Sequence, residues 1–334
     1  MRKLITLFAL VASFSLHAGA PYTPSAGQNA PAAAYVDERS AAEVSAHAPA
    51  KLKKLEDAAP VSRDGFGNAQ GNQYDLAVDG AFEGQTVLIL DQVGNTLENT
   101  KAALLQKGLN TVVYARGTTP PLQEFKAALT KSTQLWLIST SNPLLSDAHI
   151  AAIKDFFDAG HGVYLWGDND PLYVDTNRVA QALLPGLRME GDLYADQTVG
   201  IAQNDAEKVG LRRGHLVTTG LEHLYEGVTI ATVQFKGKQD HNQDLYGASG
   251  TQPNASRFRA PELPQGFTPL LYGSAGNLVS VAYEANGKRL VVDGGFTRLA
   301  VSWDDAGTAR FVKNAASWLV NAERFGDAVV AAKK

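Results

Sequence analysis

Three carboxylates close together in the sequence have the types and spacing that could do chemistry. The stretch VYLWGDND, residues 163–170, ends in the Asp-x-Asp of Asp168 and Asp170, and Asp175 follows in the next segment. Alternate acids in a turn can converge on one hard cation, and a strand-end aspartate can also be phosphorylated as a nucleophile. Against both, the pair follows the fourth expected strand, no Thr or Gly-Thr succeeds it, and no lysine signature for phosphate accompanies it. Asp and Asn also form tight turns for purely local reasons, and Asp175 is placed to cap a helix beginning near Thr176. A divalent cation on Asp168, Asp170 and Asp175 is the one cofactor these acids leave open beside plain turn and cap chemistry.

Further polar residues fall at strand ends. Asp91, the run Ser139-Thr140-Ser141, and Asp168-Asn169 would lie side by side in a parallel sheet, at the end where such folds place ligands. Hydroxyls, an amide and acids suit a small polar ligand such as a sugar or an amino-acid derivative, although short polar residues are favoured at strand-to-helix junctions in any case. Ser139 or Ser141 could serve a hydrolase as nucleophile with a histidine base, but neither sits in Gly-x-Ser-x-Gly. Near the end of the chain, Asp293-Gly294-Gly295 lets backbone approach closely, and Thr297, Arg298 and Trp303 offer an anion or sugar contact. The alternative is a tight corner with Arg298 paired to Asp304 or Asp305. Among the histidines, His149 and His161 flank the third expected helix and face solvent or cap its end. Asp240, His241 and Asp244 form a loop group that is either metal-binding or simply solvated. Trp136, Trp166 and Trp318 lie in apolar runs and belong to the core.

Regular elements must position these residues. From Gln85 onward apolar β-rich runs alternate with helical patterns: TVLILD, TLENTKAALLQKG, LNTVVYA, PLQEFKAALT, TQLWLIST, SDAHIAAIKDFFDAG, GVYLWG and VDTNRVAQALLPG. That rhythm predicts an α/β fold with a mostly parallel central sheet covered by helices on both faces. Ser146 is the N-cap of one helix, Gly108, Gly160 and Gly186 are C-caps, and Asn95 or Thr96 starts the first helix. Beyond Gly186 the segments RMEGDLY, TVGIAQ, GVTIATVQF and FTPLLYG predict a β-rich extension, with a Gly-, Asn- and Pro-rich excursion from Lys236 to Gly266. A hairpin turning at Asn286-Gly287 and an amphipathic helix, TARFVKNAASWLVNAE, close the domain.

The first twenty residues join Arg2 and Lys3 to an apolar run from Leu4 to Leu16 and then small residues, the three-part pattern of a secretory signal. The run is too short to span a bilayer, so no integral membrane segment is expected after its removal. Residues 21–82, rich in Ala, Pro, Ser, Gly and Asn, read as a disordered arm with one charge cluster, KLKKLED, and a short helix near Ala41 to Leu55. The folded domain is expected over 83–326, with a tail at 327–334. The chain of 334 residues has no cysteine, which excludes a lipoprotein anchor, disulfides, thiolate zinc sites and a cysteine nucleophile. A net charge of −4 without a basic stripe excludes a nucleic-acid footprint. The expected partner is a small polar ligand or another protein, and the expected location is secreted or periplasmic.

The segment GHLVTTGLEHLYEG at 214–227 and the ending GKRLVVDGGFTRL with TARFVKNAASWLVN add a family likeness to the strand and helix order of 85–186. The chain resembles class I glutamine amidotransferase-like domains, and within them the non-catalytic branch of ThuA-like and GIFT-type domains. There a His-x-x-Thr-x-Gly-Leu segment follows the central sheet, as His215, Thr218, Gly220 and Leu221 do here. The resemblance implies a flavodoxin-like three-layer sandwich with its ligand crevice at the strand carboxyl ends. Catalytic members carry a cysteine on the turn after the strand that matches VYLW, and here Gly167, Asp168 and Asn169 stand there. No His-x-Glu pair precedes the final helix, so glutaminase chemistry is not expected. The function that follows is an exported, non-catalytic ligand-binding or interaction domain. The alternative is a secreted hydrolase acting on a polysaccharide, peptide or phosphoester.

Export gives the first testable expectation. N-terminal sequencing of protein from its native host should find the mature chain beginning near Gly19 to Pro21. An intact Met1 in the cytosol would refute it.

Overall fold

The computed structural model describes residues 61–204, 209–235 and 263–325. The expected signal segment, residues 21–60 of the expected arm, the group Asp240, His241 and Asp244, and the tail lie outside the described residues.

Strands and helices alternate first: β1 (Gln85–Asp91), α1 (Glu98–Gln106), β2 (Leu109–Tyr114), α2 (Leu122–Thr130), β3 (Gln134–Ile138), α3 (Asp147–Asp158), β4 (Gly162–Trp166) and α4 (Val174–Leu183). The extension follows as β5 (Leu187–Tyr194), β6 (Thr198–Gly200), β7 (Gly210–Leu211), β8 (His223–Tyr225), β9 (Thr229–Phe235) and β10 (Phe267–Tyr272). The hairpin strands β11 (Leu278–Ala285) and β12 (Lys288–Asp293) and helix α5 (Thr308–Leu319) complete it. Eight strands form one sheet in the order β2-β1-β3-β4-β12-β11-β10-β7. The first five of that order pair in parallel and the rest antiparallel. A parallel 2-1-3-4-5 order is that of flavodoxin-like doubly wound folds. The strand pairs β5–β9 and β6–β8 form two separate ribbons. Among the described residues no helix is long and apolar enough to cross a membrane.

Strand alternation explains the two covered faces. Val87 and Ile89 of β1 point into one cluster with Leu104 of α1 and Phe311 and Val312 of α5. Leu88 and Leu90 point into the other with Phe125, Ile153, Phe157 and Val179 of α2, α3 and α4. Trp136, Tyr164 and Trp166 fill the first face, with Tyr164 stacked on Trp166 at 4.2 Å between ring centroids. Trp318 of α5 is in the same cluster, so the three tryptophans read as core are core.

Local signals hold with small shifts. Ser146 accepts from the backbone N–H of His149 as the α3 cap. Gly108 and Gly160 take φ of 88° and 98° directly after the caps of α1 and α3, the left-handed conformation that such a helix end needs. Helix α4 ends differently from expectation: its cap is Leu184 in an extended conformation, and Gly186 (φ 97°) lies two residues beyond it. Asn286 (φ 53°) and Gly287 (φ 68°) both turn left-handed between β11 and β12, as a type I′ hairpin requires. The first helix begins at Glu98 behind Leu97, not at Asn95 or Thr96. Helix α4 begins at Val174, so Asp175 lies inside its first turn instead of capping it. His149 does not face solvent: its ring is buried between Ser146 Oγ (2.7 Å) and the carbonyl of Pro120 (3.0 Å).

The expected arm needs correction from residue 61 onward, because residues 61–82 fold onto the domain. The Asp75 carboxylate meets three cations, Lys107 Nζ at 2.9 Å, Lys313 Nζ at 2.6 Å and Arg310 Nε at 3.1 Å, all with side chains nearly excluded from solvent. The N–H of Leu76 donates to Asn314 Oδ1 (2.7 Å), and Phe82 enters the core. Nothing periodic marks this segment, since what holds it is a set of polar contacts with α1 and α5 together with scattered apolar side chains, Leu76, Ala77, Ala81 and Phe82, packed on the core.

Asp75→Ala would leave three nearly buried cations short of their shared counter-charge. It should lower unfolding free energy by about 3–5 kcal/mol in a denaturant titration. A loss under about 1 kcal/mol would show that the contacts of 61–82 do not hold the fold.

Candidate functional site

The sheet register brings the expected strand ends together. Asp91 lies opposite Ile138, Ile138 opposite Trp166, and Trp166 opposite Asp293. Asp91, Ser139-Thr140, Asp168-Asn169 and Thr297-Arg298 therefore all issue from one end of four neighbouring strands.

At the β1 and β3 end the polar groups bind each other. Ser139 is fully buried, and its Oγ accepts from the N–H groups of Asp175 (3.0 Å) and Thr176 (3.3 Å). Ser139 thus supplies the cap of α4 that the sequence assigns to Asp175. Asp175 Oδ2 accepts from Gln92 Nε2 (2.7 Å) and from the N–H groups of Leu144 (2.8 Å) and Leu145 (2.9 Å), while Oδ1 accepts from Arg178 (2.8 Å). Gln92 also receives the N–H of Thr140 (3.3 Å). Asp91 Oδ1 accepts from Gly94 N–H (3.0 Å), and burial pushes its carboxyl above the ordinary range against the backbone donors of 93–95. Ser141 is exposed. The cavity left between Asp91, Gln92, Tyr114, Thr118 and Leu144 is about 10 Å³, room for about one water.

At the β4 and β12 end the closure is tighter. Asp168 is fully buried; Oδ1 accepts from Asn169 N–H (2.8 Å) and the Thr229 hydroxyl, and Oδ2 from Thr297 N–H (3.2 Å). Thr297 Oγ1 in turn accepts from Val228 N–H (2.9 Å). Glu226, also buried, takes Ser274 N–H and Oγ at 2.6 Å each. Arg298 faces no open crevice and pairs with neither Asp304 nor Asp305. It is buried against Asp293 Oδ1 (3.1 Å), donates to the carbonyls of Glu226 (2.9 Å) and Gly295 (3.1 Å), and lies over the Phe311 ring. The close approach allowed by Gly294-Gly295 is to the chain's own backbone, since Cβ atoms there would stand 2.5 Å from Ala231 O and 2.4 Å from Glu226 O.

The three metal candidates do not converge. Asp168 and Asp175 spend their oxygens on N–H and hydroxyl donors of different segments, and exposed Asp170 accepts from Tyr173 OH (2.8 Å). Asn169 Nδ2 donates to the Asp170 carbonyl (3.4 Å), which is turn chemistry. Among the described residues no group of three or more His, Asp or Glu side chains could hold a metal ion.

Sequence reasoning missed Glu226, Thr229 and Ser274. Glu226 stands in the segment used for the family likeness, but a lone acid between Tyr225 and Gly227 carries no spacing that could mark it. Burial pushes the carboxyls of Asp168 and Glu226 up to about 7 each, and among the described residues neither forms an ion pair. Burial also raises Asp293, against the pull of Arg298. The arrangement can take up or release protons near neutrality, and it fastens residues 226–229 to the loops after β4, β10 and β12.

No protein-family model and no curated protein matches the sequence. Solved structures do. The chain is similar to a glutamine amidotransferase from Methylobacillus flagellatus at 11% identity and TM-score 0.39, over 74% of this chain and 95% of that one. It is similar to the mmIFT52 N-terminal domain at 13% identity and TM-score 0.43, over 70% and 97%. It is also similar to a GMP synthase subunit from Thermoplasma acidophilum at 10% identity and TM-score 0.39, over 73% and 98%.

The raised acids set a sign for pH dependence. Their folded values, about 7, exceed the ordinary 3.8 and 4.5, so the folded chain holds protons that the unfolded chain has released. That stability is fully present below the ordinary values and lost as pH rises through about 7. Partly buried His215, pushed down to about 4, and His161 and His223, lowered by burial, act oppositely, removing stability only as pH falls below their ordinary 6.5. Between about pH 6 and about pH 8 each acid should contribute a drop of about 1–2 kcal/mol to the unfolding free energy, partly offset by the histidines and read as the difference between the native chain and each acid's variant. The slope should flatten in Asp168→Asn and Glu226→Gln, and an unchanged slope in both variants would refute the assignment.

Proposed function

We propose that the chain is an exported, non-catalytic ligand-binding or interaction domain of amidotransferase-like fold, of the ThuA-like and GIFT-type branch. One observation carries the reading. At the turn after β4, where catalytic members present their nucleophile, Asp168 is withdrawn from solvent and its carboxylate holds Asn169, Thr229 and Thr297. A nucleophile must reach its substrate and be activated by a neighbouring base. Asp168 instead serves as a clamp between loops, and the chain has no cysteine to stand in its place. Ser139, the other candidate nucleophile, caps α4 with its hydroxyl.

One observation favours the second reading, a secreted hydrolase of a polysaccharide, peptide or phosphoester. Two carboxyls held near 7 have the proton affinity that a general acid needs. Their complete burial weighs against it.

Purified protein should release no ammonia from glutamine and no chromophore from nitrophenyl glycosides, esters or phosphates above the buffer rate. Turnover that disappears in Asp168→Asn or Glu226→Gln at unchanged melting temperature would replace the binding domain with the hydrolase.

A further inference from the structure

A separate cavity of about 250 Å³ lies where residues 64–75 cross the start of α5, lined by Asp64, Gln70, Asn72, Trp303, Asp304 and Arg310 among others. Its walls come from segments more than two hundred residues apart in the sequence, and they are fixed by contacts that predate any ligand. Asp64 Oδ1 accepts from the N–H groups of Phe66 (2.9 Å) and Asn68 (2.8 Å) and Oδ2 from Asn68 Nδ2 (3.1 Å), which sets the first wall and leaves the remaining lone pair of Oδ2 to a ligand. Asn68 Oδ1 accepts from Glu222 N–H (2.8 Å) and His223 N–H (2.9 Å), pinning that wall to the segment before β8. Arg310 reaches Asp75 (3.1 Å), the Gly220 carbonyl (2.8 Å) and the Gly71 carbonyl (2.9 Å), which sets the floor. The third wall is a loop in which Ser302 (φ 52°) and Ala306 (φ 50°) both take the left-handed conformation without being glycine. Such strain persists only where the surroundings over-determine the backbone, and it collects at ligand clamps.

The charges decide what fits. The acids Asp64 and Asp304 face a floor where Arg310 and Lys313 share the single acid Asp75. An anion would meet Asp64 and Asp304; a cation would meet Arg310 and Lys313. An uncharged molecule avoids both, and hydroxyl groups satisfy acceptors and donors alike because each one donates and accepts. Trp303, 9% exposed with the rest of its ring in the core, lines the cavity with the small apolar surface it leaves open, against which C–H groups can rest. Asp304 and Gln70 are exposed at this cavity; Gln70 Oε1 accepts from Ser62 Oγ (2.6 Å), which leaves its Nε2 to donate to a ligand without unmaking the fold.

We infer that this cavity binds a small uncharged polyhydroxylated molecule of the monosaccharide class, held between Trp303 and the side chains of Asp64, Gln70 and Asp304. The inference rests on the reading of the chain as a binding domain, and it places the ligand away from the carboxyl ends of β1, β3, β4 and β12.

Calorimetric titration of the full chain with glucose, mannose and N-acetylglucosamine, beside phosphate and ethylammonium, tests it. At least one sugar should give saturable heat and neither ion should. Gln70→Ala and Asp304→Ala should each weaken sugar binding by about fivefold to tenfold, the loss of one hydrogen bond or charge-assisted hydrogen bond, at unchanged melting temperature. Silence with all three sugars, binding of an ion alone, or sugar binding indifferent to both substitutions would overturn the inference. A sugar that binds and is then consumed would keep the site and end the non-catalytic reading. Neither binding nor turnover would end the site and leave that reading standing.

Discussion

The carboxyl end of the sheet depends on one buried guanidinium. Arg298 is fully withdrawn from solvent, and its position fixes three things at once: the end of β12 through Asp293, the turn after it through the Gly295 carbonyl, and residues 226–229 through the Glu226 carbonyl. A buried charge is tolerable only while its partners stay in place, and removing one partner typically costs several kcal/mol. Asp293 and the carbonyls are therefore constrained as firmly as Arg298 itself. Residues 226–229, once held, carry Glu226 and Thr229 to their own partners on the loops after β10 and β4.

This explains why, among the described residues, the polar groups at that end of the sheet are turned toward one another. Doubly wound folds usually keep a crevice outside the carboxyl ends of their strands, because loops diverge there. Here the loops converge instead, drawn by three carboxylates and one arginine that satisfy each other's neighbours. Two glycines, Gly294 and Gly295, make the convergence sterically feasible, since any side chain at either position would collide with the 226–231 backbone. Polar residues that resemble a ligand site in the sequence are thereby spent on holding loops together.

Contacts made within a few residues were legible in the sequence. The β1 to α4 rhythm, the Ser146 cap, the Gly108 and Gly160 helix ends and the Asn286-Gly287 hairpin all rest on local periodicity or backbone preference, and they fell where the pattern put them. The row of strand ends was legible too, because the sheet order follows from the alternation. What each polar side chain would bind was not. Ser139 caps a helix 36 residues away, Asp168 reaches Thr297 at a separation of 129, and Asp75 answers Arg310 at 235. No spacing rule spans such gaps, which is also why residues 61–82, held by partners of that kind, resembled an arm.

The docking of that segment on α5 has a mechanical consequence. Tension applied to the chain ahead of Val61 does not travel first along the sequence to β1. It is intercepted at Asn68, Gly71, Asp75 and Leu76 and handed directly to the segment before β8 and to the final helix. Residues 68–76 and the final helix thus form one load-bearing joint, and the parallel core of β1, β3 and β4 is sheltered behind it.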